Sequence, residues 1–112
     1  MKVINQTRNT VLAEDAAVAD TLFLRLKGLL GKRALHPQEA LVIKNCNSVH
    51  TFFMRFAIDV FFVDKKNKIV KIIPSLKPFH ITGIYLNSAL VIELPAGTAK
   101  STNTQVGDYL RW

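Results

Sequence analysis

Cys46 and His50 stand four positions apart, and they are the one cysteine and one of the three histidines in the chain. A thiolate beside an imidazole can act as a nucleophile with its base, or supply two ligands to a metal. In an uninterrupted strand, residues four apart are separated by about 13 Å, whereas two ligands of one zinc ion need side-chain atoms within roughly 4 Å. The pair therefore meets only if residues 45–48, which include Asn45 and Asn47, fold back in a turn. Met54 would extend the row to a Cys, His, Met set suited to copper(I), but a methionine among phenylalanines is more often core. No paired Cys-x-x-Cys accompanies these residues, so no metal is assigned. The plainer alternative makes Cys46 a small buried residue and His50 a core histidine bonded to a backbone carbonyl.

Arg55, Asp59 and Glu93 are charges set in strongly apolar sequence, where an unpaired charge is expensive. Asp59 or Glu93 opposite Arg55 is expected to form a buried or cleft-lining ion pair, with a ligand-binding polar cluster as the alternative. Two carboxylates alone do not establish acid-base catalysis. The chain has no Gly-rich phosphate loop, no Gly-x-Ser-x-Gly elbow and no His-Glu-x-x-His, so the common nucleotide-binding and hydrolase signatures are missing and no cofactor is assigned. His36 and His80 lie near prolines in loops and are expected to face solvent.

The elements that must position these residues are mostly short strands. Residues 2–5 and 11–14 are β-like runs joined by the polar stretch 6–10, while residues 16–19 fit no single pattern. From Asp20 the period changes, and Leu22, Phe23, Leu26, Leu29 and Leu30 fall on one face of a helix capped by Asp20 or Thr21 and stopped by Gly31. Gly28 inside that helix should cost on the order of 1 kcal/mol relative to alanine, which close approach of another backbone would offset. Residues 41–44 form a short buried strand after a loop at 35–40. Along residues 49–56, alternation puts Val49, Thr51, Phe53 and Arg55 on one side of a strand and His50, Phe52, Met54 and Phe56 on the other.

Residues 58–63 carry apolar side chains on both sides, the pattern of a central strand covered on both faces. Residues 64–68 then make a hairpin with Asn67 left-handed, and 69–73 return. A long irregular connection over 74–88 precedes a strand at 89–94, a helical turn or loop at 98–105, and a last strand at 109–112. Six to eight short strands with one main helix predict an α+β domain, a mostly antiparallel half-barrel curled against that helix.

With 112 residues the chain is expected to be one domain, spanning residues 1–112, and 49% hydrophobic against 21% charged residues suits a globular rather than a disordered chain. No apolar run approaches the roughly 18 residues of a membrane helix. A single cysteine leaves no internal disulfide, which suits a reducing compartment. The first residues show no signal peptide, so the cytoplasm is the expected location unless a leader was removed. The formal charge of +7 favours anionic partners, yet the densest group, Lys65, Lys66, Lys68 and Lys71, sits at a turn without base-stacking aromatics among the lysines. That group therefore reads as solvated surface, and nucleic acid is not the favoured partner.

Taken together, Arg25-Leu26-Lys27-Gly28-Leu29-Leu30-Gly31-Lys32, the block from Cys46 to Arg55, Ile58-Asp59-Val60-Phe61-Phe62-Val63-Asp64, Glu93-Leu94-Pro95-Ala96-Gly97 and Gly107-Asp108 resemble the bacterial and archaeal domain-of-unknown-function family 192. Ala57 departs from the resemblance, which implies a proline at this position in many members. The resemblance implies a small β-rich domain with one main helix and no assigned activity.

Three functions remain open at this level. The leading one is a non-enzymatic accessory module that binds a small ligand, a metal or a protein partner in a cleft lined by Cys46, His50, Arg55, Asp59 and Glu93. The second is a thiol-dependent enzyme using Cys46 with His50 as its base. The third is a basic protein that binds nucleic acid or an acidic partner.

Overall fold

The computed structural model describes residues 1–21, 24, 28–29, 32–52 and 54–112. Eight strands form two sheets: β1 (Val3–Asn5), β2 (Thr10–Ala13) and β8 (Leu110–Arg111) in one, with the order β2-β1-β8. The other has the order β3-β4-β7-β5-β6, from β3 (Asp15–Ala19), β4 (Glu39–Lys44), β5 (Ile58–Val63), β6 (Ile69–Leu76) and β7 (Leu90–Pro95). A single helical turn, α1 (Thr98–Ser101), follows β7. Among the described residues the architecture is β-rich and contains no closed barrel.

Every residue of β5 is buried, as its two-sided apolar pattern requires, and it lies between β7 and β6. One of its faces joins Phe61 and Val63 to Ile92 and Leu94 of β7, Val3 of β1, Leu12 of β2 and Leu110 of β8. That layer packs the small sheet on the large one. The opposite face joins Ile58, Val60 and Phe62 to Leu41, Ile43, Val91, Leu29, Val49 and Met54. The large sheet is therefore a middle layer, and neither face is left to water.

β3 and β4 are parallel, in register from Asp15↔Glu39 to Ala19↔Ile43, while the other pairs are antiparallel. A parallel pair needs a long crossover, supplied here by residues 20–38. The helix expected over residues 20–31 lies largely outside the described residues. Thr21 Oγ1 accepts from the Leu24 N–H at 3.2 Å, the bond of an N-cap. Gly28, however, has φ 51°, a left-handed value that an uninterrupted helix does not contain. The group nearest Gly28 is also not a backbone: a Cβ built there would lie 3.8 Å from Glu93 Oε1.

Strand β3 occupies the stretch 15–19 that no sequence pattern marked, because pairing with β4 and burial of Ala16 and Ala19 outweigh the weak β-propensity of alanine. The hairpin at 64–68 has Asn67 at φ 65°. Asp64 Oδ1 accepts from the N–H groups of Lys66 (2.9 Å) and Lys68 (3.0 Å), which fixes that turn.

The largest departure concerns residues 49–56, which do not form a strand of either sheet. They share one isolated bridge, His50↔Ile81, with the long connection after β6. The two segments run antiparallel as an irregular ribbon. Thr82 donates its N–H to the Val49 carbonyl at 2.9 Å, Thr51 to His80 at 2.8 Å, Phe79 to Thr51 at 2.9 Å, and Tyr85 to Asn47 at 2.9 Å. A turn closed by Met54 N–H to the Thr51 carbonyl (3.2 Å) shifts the alternation. Met54 is thereby buried and Arg55 exposed, the reverse of strict two-residue alternation from Val49. Among the described residues no helix is long and apolar enough to cross a membrane.

Candidate functional site

The five residues singled out from the sequence fall into three environments. His50 is exposed and stacks on Phe52, with ring centroids 5.5 Å apart. Cys46 is partly buried beside the Phe62 and Met54 layer, and its thiol donates to the Ser48 carbonyl at 3.1 Å. Asn45, at φ 52°, turns the chain as the Asn45–Ser48 composition suggested. The turn aims the thiol at the Ser48 carbonyl, and no hydrogen bond between Cys46 and His50 is present among the described residues. Neither does His50 enter the core, because the ribbon puts Val49 and Thr51 inward and His50 outward.

Asp59 is fully buried on the face of β5 that meets α1. Its Oδ1 accepts from the N–H groups of Ser75 (2.9 Å) and Gly97 (3.1 Å), and its Oδ2 from Ala99 N–H (2.8 Å). Three backbone donors converge on this carboxylate, two of them where α1 begins, so Asp59 ties β6, the β7–α1 junction and β5 together. Glu93 lies on the other face, flanked across the strands by Leu41 and Val60. It is 4% exposed, and among the described residues no donor reaches its carboxylate. Desolvation by burial pushes its carboxyl up from 4.5 to about 7.

Arg55 is exposed. Among the described residues the ion pairs are Lys2–Glu14 at 3.8 Å and Arg8–Asp108 at 3.1 Å, so Arg55 pairs with neither Asp59 nor Glu93. The reason is the turn at Thr51–Met54, which sends Arg55 outward, while Asp59 is satisfied by backbone N–H groups that required no cation. No three His, Cys, Asp or Glu side chains among the described residues are gathered closely enough to hold a metal ion. A depression of about 290 Å³ lies elsewhere, lined by Val11, Pro37, Pro95, Gly97, Thr98 and Thr102 among others, and by none of the five residues.

The ribbon itself carries features that strand patterning missed. Its inner side buries Val49, Thr51, Met54 and Thr82, and Tyr85 packs on Phe62 with centroids 4.5 Å apart. Its outer side leaves Phe79 62%, Ile81 69%, Ile84 68% and Leu86 85% exposed, with Phe52 beside them in the facing limb. Thr51 is the clasp: its Oγ1 donates to the Lys77 carbonyl (2.6 Å) and accepts from His80 N–H (2.9 Å). Thr82 Oγ1 accepts from Val49 N–H at 3.0 Å. His80, exposed as its loop position suggested, approaches the Pro78 carbonyl with Nδ1 at 2.9 Å. A sequence signal for this surface existed in the pair Pro78-Phe79 and the run Ile84-Tyr85-Leu86 within a connection that joins neither sheet.

A middle sheet covered on one face by a small sheet and on the other by a hydrogen-bonded ribbon defines a small β-rich domain. The family model described as Uncharacterized ACR, the domain-of-unknown-function family 192, matches residues 3–112, and the chain belongs to that family. A UPF0127 protein of Pyrococcus horikoshii is 30% identical over 116 residues, covering 98% of this chain and 97% of that one. A UPF0127 protein of Thermococcus sibiricus is 27% identical, covering 98% of this chain and 73% of its own. Among solved structures, a protein of unknown function from Novosphingobium aromaticivorans superposes with a TM-score of 0.87 at 18% identity, over 100% of this chain and 84% of that one. A putative transcription regulator from Sinorhizobium meliloti superposes with a TM-score of 0.83 at 20% identity, over 98% and 89% of the two chains. Both structures share the fold.

Proposed function

We propose that this chain is a non-enzymatic binding module whose working surface is the outer side of the ribbon formed by residues 46–56 and 77–88. The observation that carries this reading is the group Ile81, Ile84 and Leu86, all more than two-thirds exposed on a backbone that is itself hydrogen-bonded in place. Contiguous apolar side chains held outward cost solvation free energy in the isolated protein, and such surfaces characteristically mark interaction sites. His50 and Arg55 belong to this surface. Cys46 and Glu93 serve it from beneath, as parts of the turn and the sheet face on which the ribbon rests, while Asp59 braces β5 from the opposite face. The same reading takes the large sheet as a half-barrel curled against a main helix that opens at Thr21 and ends before Gly28, in a single 112-residue domain that works in a reducing compartment such as the cytoplasm.

A thiol enzyme is less well supported, since the Cys46 sulfur faces a carbonyl that accepts its proton but cannot serve as a general base. If Cys46 alkylates no faster at neutral pH than free cysteine, that alternative is removed. The binding reading is tested by amide NMR titration with divalent metals, a metabolite panel, nucleic acid and lipid vesicles. Shifts or broadening concentrated at residues 48–56 and 77–86 are expected with one of these classes. A response centred on the depression between Pro37 and Thr98, or silence with every class together with no self-association through the ribbon, would overturn it.

A further inference from the structure

Within the ribbon, neither limb contains an aspartate or glutamate: residues 45–56 and 77–88 carry Arg55 and Lys77, with His50 and His80, and no carboxylate. Arg55, Lys77, His50 and His80 are all exposed. Aliphatic tips on limbs whose own charged side chains are all cationic form a combination suited to a surface that is apolar at depth and anionic at its boundary. We propose that the ribbon docks on an anionic lipid surface, with Ile81, Ile84, Leu86, Phe79 and Phe52 entering the headgroup and upper acyl region while Arg55 and Lys77 meet lipid phosphates. This inference rests on the binding reading above and names the partner of that same surface.

Three considerations favour lipid over other anionic partners. A single-stranded nucleic acid is gripped by stacking bases on aromatic rings, and the most exposed side chains here, Ile81, Ile84 and Leu86, have no π-face. A membrane, by contrast, accepts aliphatic side chains of any shape, because its interior does not require complementary packing. The formal charge of the whole chain, +7, adds long-range attraction to a negatively charged leaflet. The attachment is peripheral, by side chains on a folded ribbon and not by a spanning segment. Because affinity then combines apolar insertion with charge, it should fall with salt without vanishing, whereas a purely electrostatic contact would be abolished.

The experiment is cosedimentation of the full chain with vesicles of phosphatidylcholine alone and of phosphatidylcholine mixed with phosphatidylglycerol. Binding to the mixed vesicles is expected, at least several-fold stronger than to the neutral ones. The double variant I81S/L86S should weaken it by about tenfold or more, since each substitution removes an aliphatic side chain from the acyl boundary. Because both side chains are exposed, the variant should keep the parent's thermal midpoint, which separates loss of binding from loss of folding. R55Q/K77Q should weaken binding and flatten its salt dependence. Equal pelleting with and without vesicles overturns the lipid proposal, as does vesicle binding indifferent to I81S/L86S. Should vesicles fail while I81S/L86S abolishes a self-association seen by sedimentation velocity, or binding to RNA, the lipid proposal falls and the ribbon stands as the working surface. Free inorganic phosphate provides the last arm: if it competes as well as phosphatidylglycerol vesicles, the site reads phosphate alone and the lipid proposal is overturned.

Discussion

Glu93 and Asp59 occupy neighbouring strands of one sheet, and each is almost wholly removed from water, but they reach opposite solutions to the same problem. Asp59 satisfies its carboxyl oxygens by accepting three backbone hydrogen bonds. Asp59→Ala would leave those three N–H groups without their acceptor, and a loss of stability on the order of 3 kcal/mol is expected in urea titration. Asp59→Asn, which retains one acceptor oxygen, should lose clearly less. Glu93 has no donor among the described residues, and its carboxyl is pushed up to about 7. The folded protein thus holds the Glu93 proton more tightly than the unfolded chain does. Stability from this group is complete below the ordinary value of 4.5 and declines as pH rises toward 7, because over that range the unfolded chain releases the proton while the folded protein keeps it. Glu93→Gln removes that decline. The variant should show a flatter stability profile over this range and exceed the parent at neutral and alkaline pH by on the order of 2 kcal/mol, measured by urea unfolding at several pH values.

The ribbon illustrates how an element can exist without belonging to a sheet. Its limbs touch through one bridge and a handful of backbone bonds, so side chains must supply the rest, and Thr51 does so by joining Lys77 and His80 at once. Thr51→Val keeps the shape and burial of the residue but removes both bonds. It should destabilise by about 1–2 kcal/mol and leave the His80 N–H without its side-chain acceptor. Hydrogen exchange checks this locally: amides of residues 77–82 should exchange faster in the variant while those of β5 remain protected, because opening the ribbon need not open the sheet. Unchanged exchange at His80 would mean that the Thr51 hydroxyl is not the clasp.

At the scale of the molecule, the two ends of the chain are joined through the small sheet. Asn5 donates to Thr104 Oγ1 at 3.0 Å and to Asp108 Oδ2 at 2.9 Å, and Arg8 Nε reaches the same Asp108 oxygen at 3.1 Å. Burial of Asp108 would raise its carboxyl, but the hydrogen bonds from Asn5, Arg8 and the Gln105 N–H, together with the Arg8 charge, outweigh it and hold the group below 3.8. Its contribution has the sign opposite to that of Glu93: it is present above the unfolded value of 3.8 and is lost as pH falls through the lower folded value. Asn5→Ala removes two of the buried bonds and should cost about 2 kcal/mol, lowering the urea midpoint with an unchanged slope.

Local patterning was enough to locate most strands. The two-sided apolar pattern of Ile58–Val63 identified a central strand, and Asn67 and Gly107 marked turns through conformations that few residues adopt. Arg55, Asp59 and Glu93 were visible as charges in apolar sequence, and Cys46 and His50 by their scarcity and spacing. Their partners were not visible. Whether Asp59 meets Arg55 or three backbone N–H groups depends on where residues 75, 97 and 99 arrive, and whether Met54 or Arg55 turns inward depends on one turn at Thr51. The first is a set of contacts between segments far apart in the chain, set by packing of the whole molecule, and the second a local break in the strand, and no pattern with a period of two or 3.6 residues contains either.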